Sequence, residues 1–175
     1  MYKILLFSLS LAFAVVSAKA DIKSDFMSMP DTILVNKAKA NIIKDTADYL
    51  QAEISSALTI EMKKLRQENG DSCICLVKTY KSPEEHSTLI IYSKNWNVIH
   101  KQDFSLEDIV DSVKCPRANM LLNPSLISAH LSPSSDTLTI RVSDFMLTDE
   151  EKKELEDITL YKTFTWNGKV FSKVE

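Results

Sequence analysis

Short apolar runs separated by compact polar turns dominate the chain after residue 57, a pattern typical of antiparallel hairpins. Both glycines of the chain follow asparagine, in Asn69-Gly70 and Asn167-Gly168. Because Asn-Gly favours the positive φ angles of a type I′ turn, each pair predicts a tight hairpin. In the first hairpin, apolar and polar residues alternate over 58–63, which predicts a half-buried strand. The continuous apolar run 73–77 predicts a return strand that is buried on both faces.

Two more hairpins are expected between these, one ending near Ile99 and one around the Ser- and Pro-containing turn 132–136. Their predicted strands are 88–93, 96–99, 126–131 and 137–142. The segments 58–99 and 126–171 show a similar order of strands, turns and a Trp-bearing hairpin. We therefore also consider the hypothesis that they are two related β modules.

Helix signals occur in three segments. Asp31 can cap a first helix over 31–55, whose apolar stripe is discontinuous near Lys44-Asp45. The segment 148–157 opens with a capping-box pattern, and 105–113 opens with a similar one. A helical N-terminal segment followed by hairpins is typical of an α+β fold with an antiparallel sheet. We therefore predict a single α+β domain over 21–175.

The first 20 residues have the three parts of a secretory signal peptide. Lys3 precedes an apolar run, 4–16, that is too short to span a bilayer, and small residues precede Asp21. We expect cleavage before Asp21, with cleavage before Lys19 as the alternative. The pattern predicts a protein that crosses a membrane and is released from it.

The charge of the mature chain argues against nucleic acid as a partner. Cleavage removes Lys3 and Lys19 and no acid, so 19 basic residues remain against 24 acidic ones. A mildly acidic chain with both charges interspersed lacks the basic stripe that nucleic acid requires. After residue 20, no apolar run approaches the roughly 20 residues of a membrane span. We therefore expect no nucleic acid partner and no integral membrane segment after cleavage.

Motifs of common enzymes are absent from the sequence. Two isolated glycines exclude glycine-rich phosphate loops and the Gly-x-Ser-x-Gly hydrolase motif, and neither Ser-x-x-Lys nor His-Glu-x-x-His occurs. The sequence predicts no cofactor, no metal site and no assigned catalytic residue. Glycosidase chemistry would require two carboxylates that face one cleft. The sequence leaves that arrangement open.

The chain has three cysteines, an odd number for an exported protein: Cys73, Cys75 and Cys115. Cys73 and Cys75 lie two apart on one face of a predicted strand, about 6.6 Å from each other, so a bond between them would be distorted. All three can be small buried hydrophobes. Alternatively, Cys115 forms a disulfide with Cys73 or Cys75. The remaining alternative is a metal site or a reactive thiol, for example Cys115 or Cys75 beside one of the three histidines, His86, His100 or His130.

Three aromatic residues are the best candidates for a binding surface: Tyr92, Trp96 and Trp166. Aromatic side chains beside hairpin turns also commonly cover the open end of a sheet core. Both interpretations therefore remain open for these three residues.

The chain resembles a family of uncharacterised exported proteins from Bacteroidales-type bacteria, domain of unknown function 3256. Its most specific matches are the entry Met29-Pro30-Asp31 and the ending Trp166-Asn167-Gly168-Lys169 with Phe171. The other matches are Phe26, Leu34, Asp45, Asp48, Tyr49, the strand 58–65, Tyr92 and Asn95-Trp96. The resemblance implies a protein that is secreted across the inner membrane of a double-membraned bacterium and has a periplasmic or extracellular location, the latter at the cell surface. It implies no activity and no catalytic residues.

These observations favour an exported, non-catalytic interaction or small-ligand binding module of the bacterial cell envelope. Its partner would be an envelope protein or a small ligand. The alternative is an envelope hydrolase that uses scattered carboxylates or a Cys/His pair. A third hypothesis is a structural subunit that adds a strand to a partner by edge pairing.

Overall fold

Two antiparallel sheets form the body of the protein, which confirms the predicted α+β class and the antiparallel hairpins. The computed structural model describes residues 21–81, 84–111, 117–122 and 126–173. Sheet A has six strands in chain order: β1 (Asn41–Asp45), β2 (Tyr49–Ser55), β3 (Leu58–Arg66), β4 (Ser72–Tyr80), β5 (His86–Ser93) and β6 (Val98–Gln102). Sheet B has four strands, also in chain order: β7 (Ile127–Leu131), β8 (Thr137–Val142), β9 (Tyr161–Trp166) and β10 (Phe171–Lys173).

The described helices are short: α1 (Ile22–Ser28), α2 (Leu106–Ile109), α3 (Ala118–Leu121), α4 (Asp149–Glu154) and one 3₁₀ turn (Lys37–Lys39). Two of them begin as predicted, because both α2 and α4 carry a capping box. In α4, Thr148 Oγ1 accepts from Glu151 N at 3.3 Å, and Glu151 Oε2 accepts from Thr148 N at 2.9 Å. Among the described residues, no helix is long and apolar enough to cross a membrane.

Sheet A is covered on both faces, so it separates two hydrophobic cores. On one face, α1 and the chain after it pack against β2, β3 and β4 through Ile22, Phe26, Met29 and Leu34. An ion pair of 2.6 Å between Asp25 and Lys64 joins α1 to β3. On the other face, sheet B packs against Leu65, Cys73, Cys75, Val77, Leu89 and Ile91.

The prediction that β3 is half-buried is therefore wrong. Sheet B covers the polar residues of the alternating pattern. Their exposed fractions are 8% for Thr59, 4% for Glu61 and 1% for Lys63. β4 is buried on both faces, as predicted. Since β3 pairs with β4 along its whole length, the layers that cover β4 extend over β3 as well.

The prediction of a helix over 31–55 is also wrong, because this segment forms the 3₁₀ turn, β1 and β2. β2 pairs with β3 so that Leu50 lies opposite Met62 and Ala52 lies opposite Ile60. This pairing places the apolar residues of β2 in the core beneath α1. A weak local helical pattern thus yields to pairing with a neighbouring strand, since tertiary packing commonly overrides propensity.

All four predicted hairpins are present, but the two Asn-Gly turns differ from the predicted type I′ geometry. The loops span five residues, 67–71, and four residues, 167–170, between the last paired positions. Within these two loops, only the glycines have positive φ, 86° at Gly70 and 96° at Gly168, whereas a type I′ turn needs positive φ at the asparagine as well. Asn167 Oδ1 instead accepts from Lys169 N and Val170 N, each at 3.0 Å. Asparagine therefore closes a longer loop through its side chain.

The two predicted β modules coincide with β3–β6 and β7–β10, each a run of four consecutive antiparallel strands. A relationship between the modules stays a prediction. The predicted signal peptide, 1–20, lies outside the described residues, as do Cys115 and the predicted helix end near Val113.

We expect Gly168→Ala to destabilise the protein more than Gly70→Ala. Both positions have positive φ, which costs an alanine roughly 1–2 kcal/mol. A Cβ at residue 168 would also lie 2.6 Å from Glu68 Cγ and 3.0 Å from Glu68 N, whereas a Cβ at residue 70 would meet nothing closer than 3.9 Å. We expect this overpacking to add about 1–3 kcal/mol in urea denaturation. Equal losses in the two variants would contradict the close contact between the loops.

Candidate functional site

Side chains of sheet A bind the free edge of β7, the outer strand of sheet B. Ser87 Oγ accepts from Ala129 N at 3.0 Å, and Glu61 Oε2 accepts from Leu131 N at 2.6 Å. Lys63 Nζ donates to the carbonyl of Ser132 at 3.0 Å. An edge strand otherwise presents unpaired amides that cost free energy when buried. These contacts therefore fix β7 against β3 and β5.

Glu61 is the centre of a buried polar network between the sheets. Besides Leu131, it contacts His130, whose Nδ1 lies 3.1 Å from Glu61 Oε1. Burial raises the pKa of Tyr49 above its ordinary value, and the charge of Glu61 and a hydrogen bond with it raise that pKa further. A hydrogen bond to Glu61 raises the pKa of His130, assisted by the charges of Glu61 and Glu85 against the opposing effects of burial and Arg141. The network thus favours a protonated His130 and a neutral Tyr49.

Lys63 is the second charged side chain buried between the sheets, 1% exposed. Its ammonium lies 3.5 Å from Asp48 Oδ2 and 3.9 Å from Asp136 Oδ1, and both aspartates are about half exposed. The aliphatic stem can therefore lie in the core while the ammonium reaches carboxylates at the surface. This arrangement keeps a buried cation paired.

A polar cleft of about 240 Å³ lies beside this network. It is formed where the residues before β5 meet the ends of β7 and β8. Ser128 of β7 lies directly opposite Arg141 of β8 in the strand register. The full lining is Glu84, Glu85, Ser128, Arg141, Ser143 and Asp144.

Charges of both signs line this cleft and are only weakly paired. Arg141 forms no ion pair with any other residue that the structure describes. Glu85 Oε2 lies 3.7 Å from His130 Nε2, and Asp144 Oδ2 lies 3.9 Å from Lys152 Nζ. The cleft can therefore offer a guanidinium with two serine hydroxyls to an anion and carboxylates to a cation.

The three aromatic residues proposed as a binding surface do not all lie together. Tyr92 is buried and packs at 5.6 Å against Trp96, which is half-buried and donates through Nε1 to Ser28 Oγ at 3.4 Å. Trp166 is buried in the other core, where its Nε1 donates to the carbonyl of Arg66 at 2.6 Å. Tyr92 and Trp166 are thus on opposite faces of sheet A. The three rings form no common exposed surface.

The described cysteines have environments that disfavour thiolates. Cys73 and Cys75 are both buried between the sheets. Burial raises the pKa of Cys73 to about 11 and raises that of Cys75 well above its usual range. Thiolates are the reactive form of cysteine, so neither thiol has the character of a nucleophile. Cys115 lies outside the described residues, and its disulfide with Cys73 or Cys75 stays a prediction.

His130 contacts two carboxylates, and no contact with a cysteine is found within the described part of the chain. That part also contains no group of three or more His, Cys, Asp or Glu side chains suited to a metal ion. Sequence reasoning missed Glu61, Arg141 and Ser128. The available signal for Glu61 was its position in a strand whose hairpin partner is predicted to be buried on both faces. The spacing of Ser128 and Arg141 in the sequence gives no sign that they face each other.

We expect Glu61→Ala to cost roughly 3 kcal/mol of unfolding free energy, because it leaves the buried amide of Leu131 without an acceptor and removes the partner of His130. The exposed Glu156 provides a control of equal charge. Glu156→Ala should change stability by less than about 0.5 kcal/mol. Urea denaturation measures both variants, and similar losses would contradict a bridging role for Glu61.

We expect the stabilisation provided by His130 to depend on pH. The pKa of His130 is raised in the folded protein. Its contribution to the unfolding free energy is therefore complete at a pH below the pKa of the unfolded state, near 6.5. That contribution is lost as the pH rises through the pKa of the folded state. The difference in unfolding free energy between the native protein and His130→Gln should therefore be larger near pH 5.5 than near pH 8.5. A difference that is constant or larger at high pH would contradict the ion-pair geometry.

Comparisons with known proteins identify a family and a fold. Residues 34–171 match the family described as "Protein of unknown function (DUF3256)". The chain is similar in structure to a domain of an uncharacterized protein from Porphyromonas gingivalis W83, with a TM-score of 0.70 and 20% identity over 87% of this chain and 97% of that chain. Curated proteins give no match. Because the family match spans most of the chain and agrees with the resemblance seen in the sequence, this protein belongs to the DUF3256 family of proteins of unknown function.

Proposed function

We propose that this protein is an exported, non-catalytic binding module of the bacterial cell envelope whose polar cleft takes a small zwitterionic ligand, such as a free amino acid or a short peptide. The observation that carries the proposal is the guanidinium of Arg141, which has no ion-pair partner among the described residues and lies in one cleft with Glu84, Glu85 and Asp144. A zwitterion complements both signs of charge at once.

Arg141 is suited to the anionic end of such a ligand. A guanidinium binds a carboxylate through parallel hydrogen bonds, and the hydroxyls of Ser128 and Ser143 line the same cleft. The carboxylates of Glu84, Glu85 and Asp144 suit an ammonium group. The cleft volume of about 240 Å³ is below the roughly 300 Å³ at which drug-sized sites begin, which favours a ligand the size of an amino acid or dipeptide.

Two observations support the non-catalytic and exported character. Burial raises the pKa of the thiols of Cys73 and Cys75, which argues against either as a nucleophile. The composition of residues 1–20 supports export, since it has the charged, apolar and small-residue regions of a secretory signal.

The proposal is tested by calorimetric titration of the mature protein with alanyl-alanine, its N-acetyl derivative and its C-terminal amide. We expect the unmodified dipeptide to bind, and each modification to weaken binding because it removes one of the two charges. Arg141→Gln should lower affinity for the dipeptide by about 10- to 100-fold, as expected for loss of a charge-assisted hydrogen bond.

Arg66→Gln is the matched control, because Arg66 is an exposed arginine that does not line the cleft. Equal binding of all three compounds, equal effects of the two arginine variants, or no binding of the dipeptide would contradict the zwitterion site. Release of free alanine during the titration would instead show a hydrolase.

A further inference from the structure

We propose that His130 is a pH-dependent switch for this cleft, which holds the side chain of Glu85 when protonated and releases it into the cleft when neutral. This inference deepens the proposed function, and its relevance to ligand binding rests on that function. The geometry that carries it is the position of one imidazole between two carboxylates, one buried in the sheet contact and the other lining the cleft.

The two carboxylates differ in how firmly they are held. Glu61 is 5% exposed in its side chain and accepts the amide of Leu131 at 2.6 Å in addition to its 3.1 Å contact with His130. Glu85 is 41% exposed in its side chain, and its contact with His130 Nε2 is longer, 3.7 Å. Loss of the proton from His130 therefore affects the Glu85 contact first.

The charged and titratable groups around His130 and its partner Glu61 come from several elements. Glu61 belongs to β3, Tyr49 to β2 and Arg141 to β8, and Glu85 precedes β5. Cys75 of β4 also senses the charge of Glu61. The pKa values of Tyr49 and Cys75 are raised, so neither group loses its proton near neutral pH. Histidine is the side chain whose ordinary pKa lies closest to neutral pH, so His130 is the group of this set suited to a switch.

The chemistry of the two imidazole states gives the direction of the switch. An imidazolium donates from both nitrogens and can bind Glu61 and Glu85 together. A neutral imidazole keeps one proton. Because Glu61 is buried and closer to the ring than Glu85, this proton stays on Nδ1 and is donated to Glu61. The lone pair of Nε2 then faces the carboxylate of Glu85 and repels it. Above the pKa of His130, Glu85 thus becomes available to a cationic group in the cleft.

The switch is tested by NMR titration of the folded protein without ligand, following the ring signals of His130 and the side-chain carboxyl of Glu85. In Glu85→Gln, the pKa of His130 should fall by about 0.2 to 0.7 pH units, the range expected for a partly exposed ion pair. Glu84→Gln removes the same charge from the same cleft without a contact to His130, and it should leave the pKa of His130 nearly unchanged.

In the native protein, the carboxyl signal of Glu85 should show a transition at the pKa of His130, and His130→Gln should abolish that transition. Equal effects of Glu84→Gln and Glu85→Gln, or a Glu85 signal that ignores the titration of His130, would overturn the proposal. Because no ligand is present, these outcomes are independent of whether alanyl-alanine binds. If the dipeptide binds, its affinity should rise with pH through the pKa of His130 in the native protein and not in Glu85→Gln.

Discussion

The arrangement of the two sheets depends on how the free edges of sheet B are hydrogen-bonded. At one edge, the amides of Ala129 and Leu131 point away from β8 and bind Ser87 and Glu61. At the other edge, the side-chain amide of Gln102 donates to the carbonyl of Phe171 at 2.7 Å and accepts its N–H at 3.0 Å. Sheet A therefore supplies side chains where a neighbouring strand would otherwise be needed. Both edge strands of the four-stranded sheet B are hydrogen-bonded in this way.

The use of side chains to hydrogen-bond the edges of sheet B places ionisable groups where hydrophobic residues are usually found. A buried carboxylate is costly unless it is paired and hydrogen-bonded, and Glu61 has an amide, an imidazole and a phenol as neighbours. One of these neighbours, His130, also lies close to a second carboxylate, because its Nε2 is 3.7 Å from Glu85 Oε2. The structural bridge and the candidate cleft are thus parts of one connected network, and a change in the protonation of His130 reaches both.

The edges of sheet A are treated differently from those of sheet B. β1 and β6 each contain an irregularity in pairing, at Ile43 and Ile99 respectively, and both of these isoleucines are exposed. Bulges of this kind discourage further strand pairing. The structure therefore gives edge pairing with a partner less support than it gives to ligand binding at the cleft beside β7.

Local sequence patterns were sufficient to predict the features that depend on neighbouring residues. The capping boxes at Ser105 and Thr148 and the hairpins around Asn69-Gly70 and Asn167-Gly168 arise from contacts within a few residues, so local patterns predict them. Family membership was also visible, since it is carried by short motifs spread along the chain.

Packing between distant segments of the chain fixed the other features. It turned the weakly helical 31–55 segment into β1 and β2 through pairing with β3, and it buried Glu61 and Lys63 beneath a sheet that begins more than 60 residues later. The cleft likewise joins Glu84 and Glu85 to Arg141 across two sheets. These arrangements arise from contacts between residues far apart in the sequence. The alternation and spacing of residues cannot predict such contacts, because a local pattern describes a single strand and not the segment that packs against it.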